Sequence, residues 1–235
     1  MMRLDAAIRI DSTCDSLETT GMNGPPAGTV TLTHGVYTPD DLAAEMEIQL
    51  QADVHASNTV TIVDGYFVFA WSSGVGSISW GTDRLQTYVG CTATLLGSGG
   101  TMTAPNVCQG IFIPTLPWTS LSPLSWTLSL ARAPTFRGSG RAILRALHRN
   151  WNVTARAKAS ELTQFRGVLG QLLAGLPGRW WQDIDNPDPF GTADPLGYVD
   201  VWLSPDSRSY VERWMNLPAR LAVEVDLDFA EYVTP

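Results

Sequence analysis

The chain has 235 residues, a formal net charge of −8, 44% hydrophobic residues and nine tryptophans. That length fits one large β-rich domain or two modules of roughly 100–130 residues, and about 70% of the unfolded surface can be buried at this size. The composition excludes a disordered chain, and no apolar run approaches the roughly 20 residues of a membrane-spanning helix.

Residues 3–10 read as a short strand in which Leu4, Ala6 and Ile8 alternate. A loop from Gly21 to Gly28 leads into the β-branched run Thr29-Val30-Thr31-Leu32-Thr33, a half-buried strand. Thr38-Pro39-Asp40-Asp41 then opens a helix: the threonine hydroxyl caps free N–H groups, proline at the first position loses no needed donor, and two carboxylates face the positive dipole end. Leu42, Met46 and Leu50 give this helix, Pro39 to about Gln51, one apolar stripe. Thr59–Val63, Asp64-Gly65 and Tyr66–Trp71 spell a tight hairpin. A strand at Ser77–Trp80 follows, then one or two helical turns from Asp83 that Gly90 stops. Leu96–Thr103 is Gly/Ser-rich and reads as a mobile loop, and Pro105–Pro123 as an extended connector that holds the module boundary.

Trp126–Ala131 starts the second half with a strand. Residues 141–157 fit either period, with Trp151-Asn152-Val153-Thr154 favouring a strand over a helix. A helix from Ser160 carries Leu162, Phe165, Val168, Leu169, Leu172 and Leu173 on its apolar face and ends at Gly175 and Pro177. Strands at Arg179–Asp185 and Tyr198–Leu203 precede a last one, in which Leu221, Val223, Val225, Leu227 and Phe229 alternate with Ala222, Glu224, Asp226 and Asp228. One face of that strand is apolar and the other acidic, so the acids are solvated or meet a basic neighbour. The fold expected is α+β, mainly β: two modules of antiparallel sheets or sandwiches, residues 1–116 and 117–235, each with one packed helix, the second at about 160–174.

Motifs that carry chemistry are sparse. Asp183, Asp185 and Asp188 place oxygen ligands in a loop as a hard cation requires, but without the glycine and distal glutamate of the twelve-residue calcium loop. His34, His55 and His148 belong to no metal-binding spacing, and Ser139 in Arg137-Gly138-Ser139-Gly140-Arg141 lacks the spacing of a nucleophile elbow. Asp200 and Glu224 pose the question of a glycosidase pair, and Trp180-Trp181 that of a sugar platform. Cys14, Cys91 and Cys108, odd in number and unpaired in spacing, read as reduced, partly buried thiols. Met1-Met2-Arg3-Leu4-Asp5 has no apolar signal core, which reads as a protein kept inside the cell that makes it. The reading is of a non-enzyme with no cofactor and no metal.

Charge is strongly uneven. Residues 1–131 hold three arginines and eleven acids, residues 132–166 eight basic residues and one acid, and residues 167–235 four arginines and eleven acids. Arg137, Arg141, Arg145 and Arg149 recur every four residues. Such a stripe suits phosphates, but the acidic whole argues against nucleic acid, and pairing with the acids of the last strand fits better, within the chain or between copies. Arg137, Arg141, Arg145, Arg149, Glu224, Asp226 and Asp228 are therefore candidate subunit-interface residues.

Gly35-x-Tyr37-Thr38-x-Asp40-x-Leu42-Ala43, then Thr59-Val60-Thr61, a turn, Phe67-x-Phe69-x-Trp71 and Tyr88-Val89-Gly90, resembles a module of structural proteins in tailed-bacteriophage virions, over about residues 28–115. Arg149-x-Trp151-x-Val153, the helix from Ser160, Gly178-Arg179-Trp180 with Asp183, and the closing strand resemble distal-tail and baseplate proteins of long-tailed phages. The resemblance implies a virion tail component made in the bacterial cytoplasm. It implies a ring or other homo-oligomer that packs against further tail or baseplate proteins, with no membrane partner. Two other readings stay open: a carbohydrate- or receptor-binding β-sandwich of a virion or cell-surface apparatus, and a hydrolase whose acids converge only in the fold.

Overall fold

The structure is a computed structural model that describes residues 3–22, 28–72, 74–116, 118–120, 125–133, 141–181, 198–204, 212–217 and 220–231. Leu4–Ile113 with Gln164–Leu176 form one compact unit; Met1–Arg3, Pro114–Thr163 and Pro177–Pro235 form the other. The first unit contains strands β1 (Arg3–Ala6, from Leu4), β2 (Ile8–Ile10), β3 (Ser16–Thr20), β4 (Gly28–Thr31) and β5 (Gly35–Tyr37), then helix α1 (Pro39–Asp53). It continues with β6 (Thr59–Val63), β7 (Tyr66–Ala70), β8 (Val75–Trp80), helix α2 (Asp83–Val89), β9 (Leu95–Ser98), β10 (Thr101–Thr103) and β11 (Ile111–Phe112).

Seven of these strands form one antiparallel sheet in the order β4-β3-β8-β9-β10-β7-β6. Helix α1 packs against both edge strands, β4 and β6. Its start is as expected: the Thr38 hydroxyl accepts from the Asp41 N–H and donates to the Asp41 carboxylate at 2.6 Å. Leu42, Met46 and Leu50 are fully buried among Phe67, Phe69, Leu17 and Ile78. The helix also caps the β6 edge, because Glu47 accepts the Val60 N–H at 2.9 Å, and it holds the chain just past β4, where Glu45 accepts the Thr33 N–H at 2.8 Å. Burial pushes the Glu45 carboxyl upward, but bonds from the Thr33 N–H, the Thr33 hydroxyl and Gln49 outweigh it and hold the group below its ordinary value. At the hairpin between β6 and β7, Asp64 and Gly65 both have positive φ, 51° and 86°, as a two-residue turn of matching twist requires.

Three expectations change here. The Gly/Ser-rich stretch at 96–103 is not a loop: β9 and β10 form a hairpin whose turn residues, Gly99 and Gly100, have φ of 74° and 90°. The strand at 3–10 is two strands, β1 pairing β11 and β2 pairing β5. Part of the supposed connector, Ile111–Phe112, is thus in a sheet, and both residues are fully buried.

The second unit contains β12 (Thr119–Ser120), β13 (Ser125–Ala133), β14 (Arg141–Lys158), β15 (Gly178–Trp181), β16 (Tyr198–Leu203), β17 (Arg213–Leu217) and β18 (Arg220–Glu231). All are antiparallel in the order β15-β16-β18-β14-β12, with β13 also pairing β14 and β17 also pairing β18. Residues 141–157 are strand, as the sequence favours. Trp151, Val153, Ala155 and Ala157 are buried with Val223, Val225, Leu227 and Phe229, so the alternation of the last strand has the expected meaning. Helix α3 (Leu162–Leu173) lies where the sequence puts it, but from Gln164 it groups with the first unit. There the Phe165 ring sits 4.9 Å from Phe112, and Gln164 Nε2 donates to the Ile111 carbonyl at 2.6 Å.

Candidate functional site

The acidic face of β18 meets the polar face of β14 in register. Arg156 lies opposite Glu224 and donates to it at 2.9 Å; Thr154 lies opposite Asp226 and donates at 2.9 Å; Asn152 lies opposite Asp228 and donates to its carboxylate. From the other side, Arg213 on β17 reaches Glu224 at 3.1 Å and Asp226 at 2.7 Å. The hydrogen bond from Arg213 to Asp226, with that carboxylate's charge and the Glu224 pairing, pushes the guanidinium above its ordinary value. Glu224, Asp226 and Asp228 are thus engaged inside the chain. Sequence reasoning missed their partners, Arg156 and Arg213, because only the strand register brings them to these acids.

The arginine series falls differently. Arg137 lies outside the described residues. Arg141 pairs in register with Ala133 and Arg149 with Trp126, while Arg145 falls at the irregularity where the register shifts between Ser129 and Leu130. The stretch of β14 from 141 to 149 pairs with β13 alone, because pairing with β18 begins at Asn150. Residues 125–133 and 141–149 therefore form a two-stranded ribbon that runs past the sheet in which its second strand is rooted. Among the described residues, both outer edges of that ribbon lack a partner strand.

A second surface feature lies in the first unit. Asp40, Ala43, Ala44, Glu47 and Ile48 of α1 and Val60, Thr61 and Ile62 of β6 line an open groove of about 360 Å³. Ile48 is 58% exposed at its rim, and Val63 at the end of β6 is exposed as well. Residue spacing pointed to the core stripe of α1 and missed this second stripe at positions 40, 44, 47 and 48.

The chemical candidates separate. Asp200 is held by Arg179 at 2.9 Å, and the same guanidinium lies 4.0 Å above the Tyr198 ring. Its neighbour Val201 pairs with Glu231, seven residues along β18 from Glu224; at about 3.3 Å per residue that is roughly 20 Å, too far for two carboxyls to share a glycosidic bond. Trp180 is 2% exposed and packs edge-on against Trp151 at 5.9 Å, so it is core and no platform. Side-chain placement at Trp181, the acids Asp183, Asp185 and Asp188, and Ser139 lie outside the described residues. His34 pairs with Asp15 at 2.8 Å, His55 with the Ser57 hydroxyl at 2.9 Å, and His148 sits in β14 opposite Thr127. Cys14, Cys91 and Cys108 are free thiols, and all three are buried. Among the described residues no cluster of three or more His, Cys, Asp or Glu is placed to hold a metal ion, and no helix is long and apolar enough to cross a membrane. No family model, curated protein or solved structure matches this chain.

Proposed function

We propose that the chain is a structural component of a phage tail, at a distal-tail, baseplate or tail-adaptor position, that works by packing subunits into a symmetric assembly. The ribbon of β13 and the first half of β14 carries this reading. A two-stranded ribbon is marginally stable in water by itself, and its open edges are templates for another surface. A part built this way suits a neighbouring subunit. The strand, capped helix and hairpin on which the resemblance rests occur at the expected residues, which supports the same view. The virion is then where the protein resides after synthesis in the bacterial cytoplasm.

Co-expression with the proteins encoded beside it, followed by native mass measurement and electron microscopy, tests the proposal. A ring of defined subunit number, or a stable complex with a neighbouring tail protein, is expected. A chain that stays monomeric and binds none of those neighbours overturns it.

A further inference from the structure

We infer that the outward face of the seven-stranded sheet packs on the same face of a second copy, about a two-fold axis along β9; this rests on the assembly reading above and names one of its contacts. Three observations meet. The first is charge. Strand alternation puts eighteen side chains of the seven strands on the face turned away from the core, and Glu18 alone among them is charged. An ordinary soluble surface is roughly 25–35% charged, whereas the core of an interface is depleted of charge. Leu4–Ile113 with Gln164–Leu176 holds eleven acids and three arginines, so ten of those acids and all three arginines lie off this face. A basic partner would be steered to the acids. The uncharged face suits a surface as neutral as itself, and a second copy supplies one without bringing the two sets of acids together.

The second is an apolar centre. Leu96 on β9 and Val75 on β8 are 73% and 71% exposed, the highest values for large apolar side chains among the described residues. Leu96 lies opposite Ser77 and Val75 opposite Ser98, so the two are diagonal neighbours on one face. β9 is the middle strand of the seven. An axis along it sets Leu96 against its own image and β8 against β10 of the other copy, which brings Val75 over Thr101. It also sets β3 against β7, so Glu18 faces an uncharged strand and no second Glu18. The third is extent. Eighteen residues come close to the roughly 20–30 a side that a stable interface engages. Eleven of them are serine or threonine, whose hydroxyls can bond across the gap or to water, while Leu96 and Val75 supply the apolar burial.

The test uses the full chain in sedimentation at rising concentration, with thermal melting as a check that the fold is kept. Leu96→Glu is expected to weaken self-association at least tenfold with little change in melting temperature, because it sets two carboxylates together on the axis. Val36→Glu, at an exposed apolar residue of β5 outside this sheet, is expected to leave self-association unchanged. High salt is expected to tighten the native contact, since it screens the repulsion between two chains of net −8. Packed sheets lie about 10 Å apart, so a bismaleimide of that span is expected to link a Leu96→Cys chain to a second copy and to leave a Val36→Cys chain unlinked. Self-association that is indifferent to Leu96→Glu, without the cross-link, overturns this contact and leaves the assembly reading standing. So does a Leu96→Glu chain that self-associates as before but no longer binds a neighbouring tail protein, which gives the face to that protein. A chain that is monomeric by itself also overturns the contact, whatever neighbours it binds; only failure to bind those neighbours as well removes the assembly reading.

Discussion

Gly90 shows how one residue fixes a helix end. Its φ of 90° lies in the left-handed region, its N–H closes the last turn of α2 on Thr87, and its carbonyl accepts both the Asn106 N–H at 3.0 Å and Asn106 Nδ2 at 3.1 Å. A Cβ there would lie 2.2 Å from the Asn106 carbonyl oxygen, and backbone has little room to yield. Gly90→Ala is therefore expected to destabilise the chain by at least about 2 kcal/mol, read from the urea midpoint. The next residue makes a pH prediction. Burial pushes the Cys91 thiol from 9.0 up to about 11. A raised folded value means the folded chain holds its proton longer, so this contribution to stability is complete below about pH 9 and is lost as the pH rises through 11. Denaturation of the native chain and of Cys91→Ala, compared at neutral and at alkaline pH, should show a shallower alkaline decline in the variant.

At the scale of elements, β14, β17 and β18 share a ladder of charges. Arg156 and Glu224 are 31% and 16% exposed, so their pair contributes modestly, and Arg156→Gln is expected to cost about 1 kcal/mol. That difference should narrow at high salt, a comparison of urea midpoints at two ionic strengths. The elements visible in the sequence are those with local causes: the Thr38 cap, the Asp64-Gly65 turn, the Gly90 stop and the two-residue alternation from Leu221 to Phe229. The ones that escaped have distant causes. β3 (Ser16–Thr20) is polar at four of five positions and exists because β4 and β8 flank it. β9 and β10 look like a loop because Gly97, Gly99 and Gly100 dominate the composition, yet Gly97 serves close packing: a Cβ there would meet the Trp71 ring at 2.7 Å.

For the whole molecule, the limit of the sequence was allegiance. The apolar face of α3 announces burial without saying which unit receives it, and Phe165 answers by packing on Phe112. The acidic stripe of β18 left solvation and a basic neighbour both open, and the four-residue arginine series drew attention away from Arg156 and Arg213. The groove beside α1 left no periodic signal, because alanines 43 and 44 carry little apolar weight. The 18-residue strand β14 has a mechanical consequence. Its first half belongs to the ribbon, and its second half is clasped by β18 through nine register pairs, Asn150 to Lys158. A pull at the ribbon's root along the strand axis loads those pairs side by side and strains them together, whereas a sideways peel would open them one at a time. A tether anchored in this way resists tension along the strand and yields to peeling, so the direction of a neighbour's tug decides whether the joint holds.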